Sequence, residues 1–488
     1  MIDNKNKRIL TIFFIVLLFS FLLFPNHYVT DTYNLIDLGF KEYALKWFAP
    51  SGRIIGMLVL FLFEKIGCSI DWFIFILKCI AVIFATISIE LFYNLLIKKA
   101  KIEDDKFKKI GIFLASIIIF LNHGTHQFFF YPESAVMWLG ILSVVMALKT
   151  FASDNIKFKY IKIFLWLLLA INCYQSVVLL YLLIVMLLSG IDKKGVKHFF
   201  KESIKNGIII VLIFILGYIT VLYLRATFDS IEFKSVAIVI DQEIILKNIK
   251  LLLITCNDGF PNIILTALYI CMTIAFVIIP ESKFEYKKYK VLIFFICTLL
   301  CAVFEVLILV SVIDFYLVDR VQFAYIALTG ITWIYIILYT DLMNKKISKN
   351  IIFSLLSLIL IFNIWNSIDI SNESRKALKR DKEIFAMLKE KIDNYESENE
   401  KITKVYFSYD KVVGSVDPTI RRTEVATRTL ISTEWAIENA FKYYTGLDAE
   451  FVFAGYIYRT VFNQQNWDEF CIEEQLKFKD NEMYFIIY

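Results

Sequence analysis

The sequence is poor in proline, glycine and charge. It contains 6 Pro and 16 Gly among its 488 residues, and only 20% of the residues are charged. The scarcity of Pro and Gly excludes collagen-like, Pro-rich and Gly/Ser-linker segments. Soluble globular chains carry about 25% charged residues, whereas this chain combines its low charge with 58% hydrophobic residues and a mean hydropathy of +0.64. The composition therefore indicates an integral membrane protein.

Several cysteine and nucleotide-binding patterns are also missing. The eight cysteines form no Cys-x-x-Cys pair and no Cys/His cluster with zinc spacing, which argues against a disulfide framework. The chain has no Walker A loop, Gly-x-Gly-x-x-Gly fingerprint or Gly-x-Ser-x-Gly elbow. A nucleotide-driven pump and a serine hydrolase are therefore disfavoured.

Long apolar runs occupy most of residues 1–366. The first is expected to be a retained span, because no small-x-small cleavage site follows Pro25. The predicted spans are residues 1–25, 71–97, 110–122, 134–150, 161–172, 176–190, 207–225, 261–279, 291–313, 321–340 and 350–366. The predicted fold class is an all-α polytopic membrane protein with about 11 transmembrane helices.

The orientation depends on residues 53–66, an apolar stretch too short to span a bilayer. If this stretch lies in the outer interface, the N-terminus and the loops that carry 25 Lys/Arg face the cytoplasm, as the positive-inside rule requires. The expected topology is thus multi-pass, with the N-terminus inside and the C-terminus outside.

The tail differs from the rest in charge and pattern. Residues 1–366 carry 35 Lys/Arg against 25 Asp/Glu, whereas residues 367–488 carry 17 against 22. Apolar residues on one helical face are followed by strand-like segments: Leu378, Phe385, Leu388 and Ile392, then residues 404–409, 451–458 and 483–488. We expect a transmembrane domain of residues 1–366 with an outer loop of residues 26–70, and a small extracytoplasmic α/β domain of residues 367–488.

The first outer loop holds the most informative polar residues. Asp31 and Asp37 follow the first span, and Arg53 opens the interfacial helix. Transfer from a lipid phosphate needs a base for the acceptor hydroxyl and cations for the developing phosphate charge. Asp31 or Asp37 can supply the base and Arg53 a cation. The alternative is that these are solvated loop residues, with Asp31 capping a short helix.

The order of these features resembles the membrane-embedded glycosyltransferases of the GT-C superfamily, and most closely the bacterial Gtr-type glucosyltransferase family. The resemblance covers most of residues 9 to about 395. It rests on an early Asp in the first loop, Gly-Arg before an apolar helix, and several short motifs: Tyr131-Pro132-Glu133, Tyr174-Gln175, Asp319-Arg320 and Arg380-Asp381. One departure is that many relatives have two adjacent acidic residues where this chain has Asp31-Thr32.

The resemblance implies transfer of a hexose, by analogy glucose, from a polyprenyl-phosphate carrier to a surface or lipid-linked glycan, with inversion at the anomeric carbon. It implies a location in the bacterial cytoplasmic (inner) membrane. It also implies a substrate-binding role for Arg53, Glu133, Tyr174, Gln175 and Arg320. No cofactor is expected; a divalent metal stays an open alternative without support, and nucleic acid is not an expected partner. The competing classes are a transporter or lipid-linked-sugar flippase, and a glycan polymerase or ligase.

Three further polar residues lie in the predicted transmembrane domain. His123 and His126 lie three residues apart near Glu133, but two histidines and one distant carboxylate fall short of a metal site. Glu305 falls inside the apolar run 291–313, where an ionisable side chain is costly and is a functional candidate by default. Its candidate roles are ion or proton coupling, a structural hydrogen bond and part of a sugar pocket, and we favour a buried structural contact.

Overall fold

The architecture comes from a computed structural model. It describes residues 3–20, 28–102, 104–153, 156–192, 194–228, 241–254, 288–310, 319–409, 434–467 and 470–487, with a few positions between 267 and 274. The chain divides into two compact units, Met1–Pro25 with Phe40–Ile368 (unit 1) and Asn26–Gly39 with Asp369–Tyr488 (unit 2). The sequence placed the boundary at 366/367 and assigned the whole loop 26–70 to the membrane domain, whereas the structure groups Asn26–Gly39 with the tail.

Unit 1 is built from α-helices. Each apolar run predicted as a span coincides with a helix, apart from residues 261–279, which lie largely outside the described residues. The helices are α1 (Lys5–Ser20), α2 (Thr30–Tyr43), α3 (Ile54–Ile66), α4 (Ile70–Ala100), α5 (Lys106–Phe120), α6 (His123–Phe130), α7 (Ser134–Ala152), α8 (Lys159–Cys173), α9 (Leu179–Ile191), α10 (Val196–Phe228), α11 (Gln242–Ile254), α12 (Lys288–Val310), α13 (Phe323–Tyr339) and α14 (Lys346–Glu398). Two of them, α2 and α14, also contribute to unit 2.

Four of the described helices are long and apolar enough to cross a bilayer: α4, α7, α10 and α14. The pair α5 and α6, bent by 55°, makes a fifth if it is one broken span. In its most apolar stretch α10 is 17% buried, whereas α7 is 72% buried. A helix that exposes so many apolar side chains requires a nonpolar solvent. The chain is therefore a helical membrane protein, and the count of eleven spans stays a prediction.

One buried ion pair joins α1 to α4. Arg8 donates from Nε to Glu90 at 2.7 Å and from Nη2 to the other carboxylate oxygen at 2.5 Å. Its Nη2 also donates to Asn94 at 3.0 Å, and its guanidinium lies 4.8 Å from the centre of the Tyr93 ring. Both charged side chains are less than a tenth exposed. This bidentate arginine–carboxylate pair compensates both buried charges, which have little access to water.

Unit 2 contains a four-stranded sheet. Its strands are β1 (Lys404–Tyr409), β2 (Glu450–Phe453), β3 (Leu476–Lys479) and β4 (Glu482–Ile487), in the order β2-β1-β4-β3. β1 pairs in parallel with β2 and β4, and β3 pairs antiparallel with β4. The short helices α15 (Glu434–Thr445), α16 (Ile457–Thr460) and α17 (Ile472–Gln475) complete the unit.

The core of unit 2 confirms the amphipathic face predicted for the tail. Phe385, Leu388 and Ile392 of α14 are buried against one sheet face, and Leu378 is partly buried there. The strand predicted for residues 451–458 is wrong beyond Phe453, because the chain turns and forms α16 instead. The strand β3 was not predicted.

The helix α2 is divided between the units at Gly39. This glycine has φ +72°, a left-handed conformation that only glycine adopts without strain, and the helical geometry is broken there. Before the break, Tyr33 is fully buried in the core of unit 2 beside Phe385 and Phe441. The residues before Gly39 thus complete the packing of the tail.

Candidate functional site

The backbone before α3 presents Arg53 at the start of that helix. Ser51 Oγ donates to the backbone oxygens of Trp47 and Phe48, and the Arg53 amide donates to the Phe48 oxygen at 3.0 Å. Gly52 has φ +70°, and a Cβ atom there would lie 2.6 Å from Val221 Cγ2. Only glycine fits this turn, which explains the Gly-Arg sequence.

Arg53 has incomplete polar contacts. Its Nη1 lies 3.8 Å from Glu133 Oε1, beyond normal hydrogen-bond length, and its side chain is 27% exposed. The guanidinium lies 4.9 Å from the centre of the Tyr174 ring. The buried Nε has no hydrogen-bond acceptor among the residues that the structure describes. The cation is therefore held by aromatic packing and retains capacity to bind an anion.

Glu133 lies at the break between α6 and α7. The segment Tyr131-Pro132 ends one helix, and Glu133 is the buried residue that precedes Ser134, the first residue of the next. Its backbone oxygen accepts from the amide of Val136 at 2.9 Å. The path of the backbone thus brings the Glu133 carboxylate near Arg53.

A second break separates α8 from α9. Tyr174 has extended backbone geometry and is buried, and residues Gln175–Val178 form a short 3-10 helix. Gln175 Nε2 donates to the Ser51 backbone oxygen at 2.6 Å and so braces the turn that carries Arg53. The interval between the predicted spans 161–172 and 176–190 therefore coincides with a break in helical geometry.

Arg320 contacts the same two breaks. Its Nη1 donates to Gln127 Oε1 at 2.7 Å and to the Tyr131 hydroxyl at 2.8 Å, and its guanidinium lies 4.7 Å from the Tyr131 ring centre. Its backbone oxygen accepts from Ser176 Oγ at 3.0 Å. Arg53 and Arg320 are thus both anchored to the segments 131–133 and 174–178.

Together these residues form what we call the arginine cluster: Arg53, Glu133, Tyr174, Gln175 and Arg320, with Gln127, Tyr131 and Ser176 as supporting contacts. The two guanidinium groups lie at interrupted helices and are held in part by neutral oxygens and aromatic rings. Such groups suit a phosphate or carboxylate ligand. Sequence reasoning missed Gln127 and Ser176. Their only signal was proximity in sequence to the motifs at 131–133 and 174–175.

Asp31 and Asp37 belong to unit 2 and not to the arginine cluster. Asp31 occupies the first turn of α2, and its carboxylate makes no hydrogen bond or ion pair with the described residues. Asp37 forms an ion pair with Lys442 at 2.9 Å, and this pair raises the pKa of Lys442. The structure thus gives the two carboxylates different surroundings, with Asp37 neutralised by a partner.

Tyr28 and Tyr33, which flank Asp31 in sequence, pack in an aromatic cluster with Tyr443 and Tyr444. The hydroxyls of Tyr33 and Tyr444 share a hydrogen bond, and Tyr28 and Tyr443 pack edge-on against Tyr33. Burial raises the pKa of Tyr444 to about 12 and raises that of Tyr33 still further. Both phenols are neutral hydrogen-bonding groups at neutral pH.

The two histidines singled out in the sequence are not part of the arginine cluster. His123 and His126 are buried in α6, and no group of three His, Cys, Asp or Glu side chains suited to a metal occurs within the described ranges. Arg225, near the end of α10, donates from Nε to the Pro50 backbone oxygen at 3.1 Å. The side chain of Glu305 lies outside the described residues.

The fold and the cluster define a helical membrane protein with a buried, arginine-containing polar site. Searches with protein-family models, among curated proteins and among solved structures found no match for this chain. The Gtr-type resemblance is therefore carried by the motifs of this sequence alone.

Proposed function

We propose that this protein is a glycosyltransferase that moves a hexose from a polyprenyl-phosphate carrier to a cell-envelope glycan. The observation that carries the proposal is Arg53, whose guanidinium has a long ion pair and a buried Nε without an acceptor among the described residues. Arginine is the residue best suited to grip a phosphate through a planar fork of donors. The proposed donor site is the arginine cluster.

The second arginine strengthens the assignment to a phosphate. Cleavage of the sugar–phosphate bond turns a phosphodiester with one negative charge into a monoester with about two. Arg53 and Arg320 can stabilise that added charge as it develops, which is the interaction that lowers the barrier. Glu133 restrains Arg53 without saturating its donors.

In the proposed reaction, the carboxylate of Asp31 removes the proton from the acceptor hydroxyl. The acceptor oxygen forms a bond to the anomeric carbon while the bond from that carbon to the phosphate oxygen breaks. The electron pair leaves with the polyprenyl phosphate, and attack opposite the leaving group inverts the configuration. Asp31 is preferred over Asp37 as the base because Asp37 is paired with Lys442.

The proposed setting is the bacterial cytoplasmic membrane with about eleven spans and an extracytoplasmic unit 2. Positive-inside loops and the apolar helices support this orientation. Donor sugars carried on polyprenyl phosphate and acceptor glycans then meet on the outer face. Unit 2 is proposed to take part in choosing the acceptor.

The decisive experiment measures transfer of radiolabelled hexose from polyprenyl phosphate to envelope glycan by the purified full-length protein in lipid. Asp31→Asn is expected to lower the rate by about three powers of ten, roughly 4 kcal/mol of barrier. Asp448→Asn, an exposed aspartate of the same unit, is the matched control and should leave transfer unchanged.

Two results would contradict parts of the proposal. Equal activity of wild type and Asp31→Asn, with loss in Asp37→Asn, would move the base to Asp37. No transfer by the wild-type protein with any lipid-linked hexose, together with movement of that lipid between leaflets, would replace the enzyme with a flippase.

A further inference from the structure

A cavity of about 990 Å³ lies in unit 1, away from the arginine cluster. Its lining comes from the C-terminal parts of α4, α7, α9 and α13 and from the residues that directly follow α4, α7 and α9. The volume is at the upper end of the range for small-molecule sites, about 300–1,000 Å³. Four helices therefore end around one space large enough for a ligand.

The described residues that line the cavity carry an excess of positive charge. Its ionisable lining residues are Lys98, Lys99, Lys101, Lys149, Lys194 and Asp192. Asp192 forms an ion pair with Lys99. The other four lysines have no ion-pair partner in the part of the chain that the structure describes. Among the described residues, four ammonium groups around the same cavity thus have no acidic partner.

Helix ends explain only part of this charge. Lysines in the last turn are favoured by the partial negative charge of a helix C-terminus, and Lys98, Lys99 and Lys149 are in such turns. Lys101 and Lys194 lie beyond the last residues of α4 and α9 but still line the cavity. Their ammonium groups add to the excess without belonging to a helical turn.

Much of the remaining wall is apolar, although Asn94, Ser153 and Tyr339 also line it. Leu91, Leu95, Ile191 and Leu338 line the same cavity as the lysines. A free phosphate ion would leave this surface exposed to water, whereas a phosphate that carries acyl chains would cover it. Basic pockets between transmembrane helices are a known type of site for acidic lipid headgroups.

We propose that this cavity binds an anionic phospholipid, with its phosphate at the lysines and its chains against the leucine and isoleucine side chains. The site does not depend on the glycosyltransferase assignment, because none of its residues belongs to the arginine cluster. A bound lipid would join the ends of four helices and stabilise unit 1.

Binding can be measured by native mass spectrometry of the purified full-length protein in detergent, titrated with dioleoyl phosphatidylglycerol or with dioleoyl phosphatidylcholine. Phosphatidylglycerol is expected to bind more tightly. The variant Lys98→Gln/Lys101→Gln/Lys149→Gln should weaken its binding roughly a hundredfold, since each lysine near an acidic headgroup contributes about fivefold. The matched control is Lys106→Gln/Lys162→Gln/Lys346→Gln, which removes three exposed lysines outside the cavity.

A change of opposite sign tests the charge argument. Asp192→Asn removes the carboxylate and releases Lys99, so phosphatidylglycerol should bind several-fold more tightly. Equal affinity for the two lipids, or equal loss in the cavity and control variants, would overturn the proposal. Glycerol 1-phosphate binding as tightly as the lipid would overturn the assignment to a phospholipid, because the apolar wall would then contribute nothing.

Discussion

Arg8 and Arg53 lie in two regions of unit 1 with similar ingredients and different geometry. Each has a glutamate nearby and a tyrosine ring within 4.9 Å of its guanidinium. Arg8 meets Glu90 through two short hydrogen bonds, whereas Arg53 lies 3.8 Å from Glu133 and is more exposed. A saturated arginine stabilises the fold; an unsaturated one can exchange its contact for a ligand.

The largest expected effect is on stability at the first region. Arg8→Met leaves Glu90 buried without its partner, and we expect a loss of about 3 to 5 kcal/mol. The measurement is unfolding in detergent followed by tryptophan fluorescence. Adding Glu90→Leu should restore most of the loss, because both buried charges are then gone. A stable single variant would mean that the pair is not a structural contact.

Replacement of Arg53 should separate function from stability. Arg53→Gln is expected to lower hexose transfer by about 10² to 10³, or roughly 3 to 4 kcal/mol, since a donor to the leaving phosphate is lost. The unfolding transition should move little, because no short hydrogen bond of its guanidinium is broken. Arg53→Lys keeps the positive charge but lacks the planar guanidinium, so its transfer rate should lie between those of the wild type and Arg53→Gln.

The opposite pattern would reverse the comparison between the two arginines. If Arg53→Gln unfolded as readily as Arg8→Met and kept its transfer rate per folded molecule, Arg53 would be a structural residue. The kinetic measurement should therefore be made on protein whose folded fraction is determined in the same sample.

The smallest effect tests the turn that positions Arg53. Gly52→Ala introduces a Cβ at φ +70° and within 2.6 Å of Val221 Cγ2, and we expect a loss of about 1 to 2 kcal/mol in stability and about tenfold in transfer. Val221→Ala in the same chain should recover part of both, because it removes the clashing methyl group.

Gly67→Ala is the matched control for that turn. Gly67 has φ +69°, and a Cβ there would meet no atom within 4 Å. Gly67→Ala should lose about 1 kcal/mol of stability from backbone strain, without losing hexose transfer. Equal loss of transfer in both variants would show that the close approach to Val221 does not position Arg53.

Local patterns in the sequence predicted the helices well. The run at 134–150 coincides with α7, and the polar residues Tyr174 and Gln175 mark a real break between α8 and α9. Apolar length and its interruption are properties of adjacent residues, so they are visible without the fold. The tail was harder, because the four-residue strand β3 alternates lysines with apolar residues like a surface loop.

The sequence did not show which of the candidate site residues contact one another. The sequence singled out Arg53, Glu133 and Arg320 through their motifs, yet these residues are 80 to 267 positions apart. Their contacts depend on how helices pack, which side-chain identity does not specify. The assignment of Asp31 to unit 2 depends likewise on Tyr33 entering the core of the tail.

The sequence by itself determined that this is a helical membrane protein, because apolar composition and run length decide which solvent a chain requires. It also determined the amphipathic face of α14, since helical periodicity is local. Only the tertiary structure decided that Arg8 is saturated and Arg53 is not. The guanidinium–carboxylate distance is 2.5 Å for Arg8 and 3.8 Å for Arg53. This difference arises from long-range packing, and it distinguishes a structural ion pair from a candidate binding site.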